Sequence, residues 1–292
     1  MSGWTTANLP DMTGRTVVVT GASGGLGLAT AAGFARAGAH VVLAVRSAAR
    51  GREAAAGIAG EVEVRQLDVS DLTSVRRFAD AWSGDLDVLV NNAGIMDVPL
   101  TRTADGFELQ LATNYLGPFL LTRLLLPHII DRVVLVSSQL HRLGRLRLED
   151  LNTERRPYRS LDAYYESKLA VVLFSTELQR RLDAAGSRVR SVVAHPGIAS
   201  TNLARHSRSG ALTHALRFLF NDTQTGALSL LYAATQDVSG NAYIGPRGLG
   251  SLKGHPAPGR ASKTGRDPGT AGALWEVTEQ LILASNAAAP LP

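Results

Sequence analysis

The chain has 292 residues, of which 45% are hydrophobic and 19% charged, the composition of an ordinary globular protein. It contains no cysteine, which excludes disulfides, thiolate metal sites and cysteine nucleophiles. The net charge of +5 comes from arginines that are interleaved with acids, so we expect no nucleic-acid partner. Neither a signal peptide nor an apolar run of about 18 residues is present. We therefore expect a cytoplasmic protein with no integral membrane segment.

Seven short β-branched segments alternate with longer segments whose apolar residues recur at helical spacing. Continuous apolar strands separated by helices are typical of a parallel sheet covered on both faces. No linker or internal repeat divides the chain, so the sequence predicts one α/β domain over residues 1–292, with a doubly wound, mostly parallel, seven-stranded sheet. The predicted strands are 16–21, 40–46, 63–69, 86–94, 132–138, 190–197 and 241–246.

The stretch from Gly245 to Thr270 is rich in glycine and proline. Such composition breaks helices and strands, and the sequence therefore predicts an irregular C-terminal flap. A last helix is predicted after it, at 272–283, where apolar residues return at helical spacing.

A glycine-rich turn, "TGASGGLG", lies between the first predicted strand and a small-residue helix. Glycine permits positive φ and close approach of a ligand, and the start of the helix presents free amides to a pyrophosphate. Taken alone, the motif could be a mere tight turn, but its place in the first βα unit favours dinucleotide binding. The predicted cofactor contacts from this turn are Gly21, Ser23, Gly24, Gly25, Leu26 and Gly27.

Arg46 ends the second predicted strand, where an NAD-binding protein usually carries Asp or Glu. No acidic residue occurs between Gly27 and Glu53, and Arg50 and Arg52 follow closely. A guanidinium can bind a 2′-phosphate through two parallel hydrogen bonds, whereas a carboxylate would repel it. The sequence therefore predicts NADP(H) in preference to NAD(H).

Tyr164 and Lys168 are four residues apart in "AYYESKLAVVLF", a segment that predicts a helix, so both side chains lie on one face. A phenol has a pKa near ~10, and a nearby ammonium favours its phenolate. Tyr164 could then exchange a proton with a substrate oxygen while a hydride moves at the carbon. Tyr165 is the competing phenol, at a spacing of three from Lys168.

The motifs together resemble those of the short-chain dehydrogenase/reductase family, especially its retinol-dehydrogenase-like and protochlorophyllide-reductase-like members. They occur in the family's order along most of the chain. The resemblance implies a Rossmann fold, with a cofactor half over about 13–135 and a catalytic half over about 136–292. The matching motifs are "TGASGGLG", "LDV", "NNAG", "ATNYLG", "VSS", "YYESK" and "HPGIAST".

The same resemblance implies further site residues. Asn114 would hold a water in a proton relay behind Lys168, and Ser138 would hydrogen-bond the substrate oxygen beside Tyr164, with Ser137 as its structural neighbour. Both serines could instead be plain polar residues at a strand end. Ile198 and Thr201 would bind the nicotinamide carboxamide and expose the pro-S hydride. The residues implied to contact the cofactor are Asp68, Val69, Asn92, Ala93, Gly94, Tyr164, Lys168, Pro196, Gly197, Ile198 and Thr201.

Several histidines and one apolar segment have other interpretations. His195 precedes "PG" and is interpreted as a strand-end neighbour of the cofactor loop, not as a catalytic group. His128 and His141 have no partners at metal-ligand spacing, so no metal site is predicted. The segment 202–225, which includes "ALTHALRFLF", is interpreted as an apolar lid over a hydrophobic pocket; a dimer contact or weak membrane attachment are the alternatives.

We therefore expect an NADP(H)-dependent carbonyl reductase or alcohol dehydrogenase that acts on a lipophilic or aromatic ketone, aldehyde or alcohol. The alternative is a catalytically quiet NADP-binding regulator or scaffold, which would be expected to lack the Tyr or Lys of the motif. Both residues are present. The resemblance also implies a homo-oligomer formed through the helices that hold Asn114 and Tyr164.

Overall fold

The computed structural model describes residues 3–197, 223–248 and 251–287. Its centre is one eight-stranded sheet in the order β3-β2-β1-β4-β5-β6-β7-β8. All neighbouring strands are parallel except β7 and β8, which pair antiparallel. The strands are β1 Thr16–Thr20, β2 His40–Val45, β3 Val62–Gln66, β4 Leu86–Asn91, β5 Ile129–Val136, β6 Arg190–Ala194, β7 Tyr243–Pro246 and β8 Pro256–Gly259.

The sheet has the seven predicted strands and one more. β8 lies inside the glycine- and proline-rich stretch that the sequence analysis interpreted as irregular, and it pairs with β7 from Pro246↔Pro256 to Tyr243↔Gly259. An edge strand makes hydrogen bonds on one side only, so it tolerates prolines that would interrupt a central strand. The predicted count of seven was therefore wrong by one edge strand.

The helices cover both faces of the sheet. α1 and α7 pack on one face with the apolar side chains of β1, β2 and β4, and α3, α5 and α6 pack on the other. In the described residues the helices are α1 Gly25–Arg36, α2 Ala48–Ala55, α3 Leu72–Asp80, α4 Leu109–Leu111, α5 Gly117–Leu125, α6 Ser160–Ala184, α7 Thr223–Thr235 and α8 Pro268–Ala287. None of the described helices is both long and apolar enough to cross a bilayer.

The strand order places a crevice at the carboxyl edge of the sheet. β1 is followed in sequence by β2 on one side, whereas its other neighbour is β4, so the connections from β1 and β4 run in opposite directions. Ligands of doubly wound sheets bind outside the carboxyl ends of the strands at such a switch point. The turn after β1 and the "NNAG" loop after β4 therefore meet where a ligand is expected.

The last helix covers α5 and α6. Trp275 of α8 packs its ring 4.9 Å from that of Phe119 and 5.7 Å from that of Phe174, measured between centroids. The hydroxyls of Tyr115 and Thr278 are 2.7 Å apart in the same buried layer. The helix predicted at 272–283 is present and extends from Pro268 to Ala287. It occupies the outer face of the two helices through which self-association was expected.

Candidate active site

The glycine turn after β1 is shaped for close contact. Gly21 and Gly25 have φ angles of 67° and 55°, a region that side-chain-bearing residues avoid. The Gly21 amide donates to the Ala44 carbonyl at 2.9 Å, which fixes the turn against the end of β2. Within the described residues, no side chain caps the amino end of α1. Ser23 and Gly24 are half-buried within the turn, and Leu26 is buried in the first turn of α1.

Gly27 lets the two loops of the switch point touch. A Cβ there would lie 2.4 Å from Asn92 Nδ2 and 2.6 Å from the Gly21 carbonyl oxygen, and a Cβ on Gly21 would lie 2.9 Å from the Ala93 Cα. These distances are too short for any side chain, so both glycines are required by the contact between this turn and "NNAG". The predicted cofactor residues of the two motifs therefore form one surface.

Thr20, which the sequence analysis did not single out, joins these loops. Its buried Oγ1 accepts the amides of Asn92 and Ala93 at 3.0 and 2.9 Å, and Asn92 Nδ2 donates to the Thr20 carbonyl at 2.8 Å. A buried hydroxyl with two backbone donors holds a loop firmly, because breaking either bond leaves an unpaired polar group. The Thr in "VVVTG" directly before the glycine turn is the signal that could have revealed this role.

The predicted cofactor residues Arg46, Asp68 and Val69 lie just after β2 and β3. Arg46 is exposed directly after β2. Asp68 Oδ1 accepts the Ser70 amide and hydroxyl at 3.0 and 2.6 Å, which turns its carboxylate along the loop. Val69 is buried, and its carbonyl lies 1.8 Å from where a Cβ on Gly117 would stand, so glycine in "YLG" allows α5 to approach this loop.

Tyr164 of α6 is 5% exposed and lies beside Ser138, which follows β5 by two residues. Burial raises the pKa of Tyr164 to about 12, and a hydrogen bond with Ser138 lowers it in part. Ser138 begins a 3₁₀ turn, Gln139–Leu143, and its Oγ accepts the Leu140 amide at 3.2 Å. Tyr164 is therefore a neutral phenol at pH 7, with its proton available for donation.

Lys168 lies one helical turn beyond Tyr164 and is also buried, at 5% exposure. Its Nζ donates to the Val136 carbonyl at 3.0 Å and stands 5.8 Å from the centroid of the Tyr164 ring. Burial lowers the pKa of Lys168 to about 8. That this ammonium, together with oxidised nicotinamide, favours the phenolate of Tyr164 stays a prediction. Ser137 donates to the Lys168 carbonyl at 2.8 Å and so supports the helix.

Asn114 lies in a π-helical turn, Ala112–Leu116, between α4 and α5. Its Oδ1 accepts the Ile95 amide at 2.8 Å, and its Nδ2 donates to the Ile95 carbonyl and to Ser167 Oγ, both at 2.9 Å. The side chain therefore clamps the loop after "NNAG" onto α6. π-Turns are rare and concentrate at functional sites. The motif "ATNYLG" by itself does not reveal this turn.

Gly94 allows the loop that Asn114 holds to lie next to Lys168. A Cβ on Gly94 would lie 3.1 Å from Asn114 Oδ1 and 3.3 Å from Lys168 Nζ. The main chain of "NNAG" thus passes directly over both groups, and a larger residue would press on them. Asn114, Lys168 and the cofactor loop are therefore adjacent, as a proton relay between them requires.

The loop after β6 contains the remaining predicted residues. His195 is 1% exposed, stacks on Tyr243 with ring centroids 5.0 Å apart, and accepts the Gly197 amide at 3.2 Å. Burial lowers the pKa of His195 to about 3, so it is neutral at pH 7. Pro196 and Gly197 follow it at the carboxyl edge. Ile198, Thr201 and most of the predicted lid, 202–222, lie outside the described residues.

Several known proteins are similar to this chain in sequence. A family model described as short chain dehydrogenase matches residues 15–211. Retinol dehydrogenase 14 of Mus musculus is 39% identical, over 93% of this chain and 86% of its own length; polyprenol dehydrogenase of the same organism is 43% identical over 77% and 73%. The chain belongs to the short-chain dehydrogenase/reductase family.

Solved structures agree with this assignment. The crystal structure of an uncharacterized protein from Mycobacterium Paratuberculosis is 51% identical, with a TM-score of 0.86 over 96% of this chain and 97% of its own. A short chain dehydrogenase from Burkholderia cenocepacia, solved in complex with NADP, is 26% identical, with a TM-score of 0.61 over 77% and 92%. This short-chain dehydrogenase is therefore a single α/β unit with many structural relatives.

Family membership makes the protein a hydride-transfer oxidoreductase of the alcohol and carbonyl type, similar to retinol dehydrogenases, with a nicotinamide cofactor. The residues present fit such a cofactor. The turn is open at Gly25, where no atom of the described residues lies within 4 Å of a Cβ position. Next to it, the start of α1 has no side-chain cap among those residues and presents amides suited to a pyrophosphate.

Proposed function

We propose that this short-chain dehydrogenase transfers a hydride between NADP(H) and the carbonyl or alcohol carbon of a lipophilic or aromatic small molecule, with Tyr164 as the proton donor and acceptor. The observation that supports it most is the burial of Tyr164 and Lys168 one turn apart on α6, with the Lys168 ammonium 5.8 Å from the centroid of the Tyr164 ring. Ser138 interacts with the same phenol and lowers its pKa in part. A phenol and an ammonium on α6 and a hydroxyl in the turn after β5 thus lie near one another, and the ammonium is next to Gly94 of the "NNAG" loop.

The proton step follows from these groups. Bound nicotinamide supplies or accepts the hydride. Tyr164 is protonated at pH 7 because burial raises its pKa to about 12, so it can protonate a carbonyl oxygen that gains negative charge. The Ser138 hydroxyl accepts the Leu140 amide and keeps its own proton to donate to the same oxygen. The Lys168 ammonium stabilises the phenolate that remains.

The names of two relatives support the lipophilic substrate class, since retinol and polyprenol are lipophilic alcohols. A groove of about 750 Å³ runs between the loop after β4 and the start of α6. Its lining combines apolar side chains with charged and phenolic ones, among them Leu161, Asp162 and Tyr165, so the groove by itself does not select a lipophilic molecule.

The direct test is turnover with a defined panel. Purified protein is mixed with NADPH and with lipophilic or aromatic ketones and aldehydes, and oxidation of NADPH is followed by its absorbance. We expect turnover of at least one lipophilic carbonyl compound and poor turnover of small polar ones. Tight binding of NADPH without turnover of any panel member, in either direction, would contradict the proposal and favour a quiet NADP-binding protein.

The cofactor preference predicts a selective effect of Arg46→Ala. Loss of a charged hydrogen-bonding group on a phosphate weakens binding by about 10–100-fold, so we expect this loss in NADPH affinity with little change for NADH. Separate fluorescence titrations with the two cofactors measure it. Arg36→Ala is the matched control, since Arg36 is exposed at the far end of α1. Equal losses for NADPH and NADH would show that Arg46 does not recognise the 2′-phosphate.

The buried ammonium predicts a pH dependence. Because burial lowers the pKa of Lys168 to about 8 and the charged form is the active one, carbonyl reduction should be constant below about pH 8 and fall above it. Tyr164, with a pKa of about 12, adds no fall in that range. The measurement is kcat at saturating NADPH between about pH 6 and pH 10. A rate of reduction that rises through pH 8 would contradict this assignment.

A further inference from the structure

His141 lies three residues after Ser138 in the 3₁₀ turn and is fully buried, at 0% exposure. Its Nδ1 lies 2.6 Å from the Ser138 carbonyl oxygen. Its Nε2 lies 3.0 Å from the amide nitrogen of Ser262, in the segment after β8. One imidazole therefore connects the turn that begins at Ser138 to a segment 121 residues away in the chain.

These two partners determine which nitrogen is protonated. The Ser262 amide can only donate, so Nε2 is the unprotonated nitrogen, and Nδ1 carries the proton and donates to the Ser138 carbonyl. Burial lowers the pKa of His141 to about 4, so the ring is neutral at pH 7 and holds this tautomer. A protonated ring would set a second N–H against the Ser262 amide.

The ring plane of His141 is fixed by Tyr243 of β7. The two ring centroids are 5.3 Å apart, and the Tyr243 hydroxyl lies 3.3 Å from His141 Nδ1. Tyr243 in turn stacks on His195. The contacts of both ring nitrogens with Ser138, Tyr243 and Ser262 therefore favour one orientation of the imidazole.

The Ser138 carbonyl receives two hydrogen bonds from the same residue. The His141 amide donates to it at 3.1 Å, and the imidazole donates at 2.6 Å. Ser138 itself has extended backbone angles, φ −143° and ψ 154°. When the carbonyl and the backbone angles are fixed, the Cα–Cβ bond has one direction, and the hydroxyl can only choose among rotamers. From there the hydroxyl interacts with Tyr164 and lowers its pKa in part.

We propose that His141 is a positioning residue for Ser138: its Nδ1–H holds the Ser138 carbonyl and thereby aims the Ser138 hydroxyl at Tyr164 and the substrate oxygen. This rests on the proposed function, in which Ser138 and Tyr164 act on that oxygen. His141 touches neither substrate nor cofactor in this assignment. Its contacts with β7 and with the segment after β8 determine where it holds the catalytic serine.

Two substitutions separate the two nitrogens of His141. In Asn, the amide nitrogen can stand near the Nδ1 position and still donate to Ser138; in Gln, the amide oxygen can stand near Nε2 and accept the Ser262 amide. We expect His141→Gln to lower kcat by about tenfold and His141→Asn to lower it less, with KM and NADPH affinity nearly unchanged in both. His128→Gln is the control and should keep full activity, because His128 directly precedes β5, at the amino ends of the parallel strands.

A double-mutant cycle with Ser138→Ala distinguishes positioning from general support of the fold. If His141 acts through Ser138, His141→Gln has no further effect on kcat in the Ser138→Ala protein. An equal additional loss in that background, or a larger loss in His141→Asn than in His141→Gln, overturns the proposal. Thermal unfolding of each variant shows whether a loss of activity merely follows a loss of fold.

The cycle also separates this proposal from the proposed function. If Ser138→Ala keeps full turnover, the role assigned to Ser138 in the reaction is wrong, and the proposal that His141 positions Ser138 is wrong as well. If Ser138→Ala is impaired and both His141 variants match the original protein, the proposed function stands and the role of His141 alone is rejected.

Discussion

Tyr164→Phe is expected to lower kcat for carbonyl reduction by about 10²–10⁴-fold, the usual contribution of a positioned general acid. The substitution removes the proton that the substrate oxygen would receive, while the ring, 5% exposed, keeps its packing. NADPH affinity should change little, because the glycine turn and Arg46 are untouched. The measurement is single-substrate kinetics with the best carbonyl compound of the panel, together with an NADPH titration.

Tyr165→Phe is the matched control for this prediction. The two rings are neighbours on α6, with centroids 6.3 Å apart, and the substitution removes the same hydroxyl group. Ser138 interacts with Tyr164 and lowers its pKa in part, so we assign the proton to Tyr164 and expect Tyr165→Phe to keep most of the turnover. A large loss in Tyr165→Phe, with turnover retained in Tyr164→Phe, would reverse the assignment of the proton donor.

The strands could be predicted because their sequences carry the pattern themselves. "VVV", "VVLAV" and "VLV" are buried on both faces, and continuous apolar runs of this kind are the signature of a parallel sheet. The edge strand β8 has the sequence "PAPG", which has no such signature. It forms a strand only because the free edge of β7 offers hydrogen-bonding partners, and partners distant in the chain cannot be read from four residues.

In the candidate site, too, some features could be predicted from the sequence and others could not. Tyr164 and Lys168 could be predicted as a pair because a helix fixes their relation locally. The π-turn at Asn114 could not, since the amide of Asn114 bonds to Ile95 and Ser167 on two other segments. His141 was assessed only as a metal ligand, because Ser262 and Tyr243, which give it its direction, are brought to it by β7 and the segment after β8.

The second large effect concerns stability. Trp275→Ala should lower the free energy of unfolding by about 3–5 kcal/mol, the usual cost of truncating a large buried aromatic side chain. Trp275 is 5% exposed; its ring packs on Phe119 and Phe174, and the guanidinium of Arg181 stacks 4.3 Å from its centroid. Truncation leaves a cavity between α8 and the two helices beneath. Urea unfolding, followed by circular dichroism, measures the change.

Two variants control for this effect. Trp275→Phe keeps most of the ring and removes an indole N–H that has no acceptor among the described residues, so it should cost much less than alanine. Leu283→Ala, on the exposed side of the same helix at 66% exposure, should change stability by at most about 0.5 kcal/mol. If Trp275→Ala were as mild as Leu283→Ala, α8 would not be anchored on α5 and α6.

The same helix bears on self-association. The outer face of α5 and α6 is occupied by α8, with Trp275 over the aromatic layer and Glu279 paired with Arg123. A second copy can use that face only if α8 leaves it. We therefore expect the original protein not to associate through this face, and Trp275→Ala, with α8 loosened, to show more association as its concentration rises. Sedimentation velocity over a concentration series measures both, and a dimer of the original protein that Trp275→Ala disrupts would contradict the expectation.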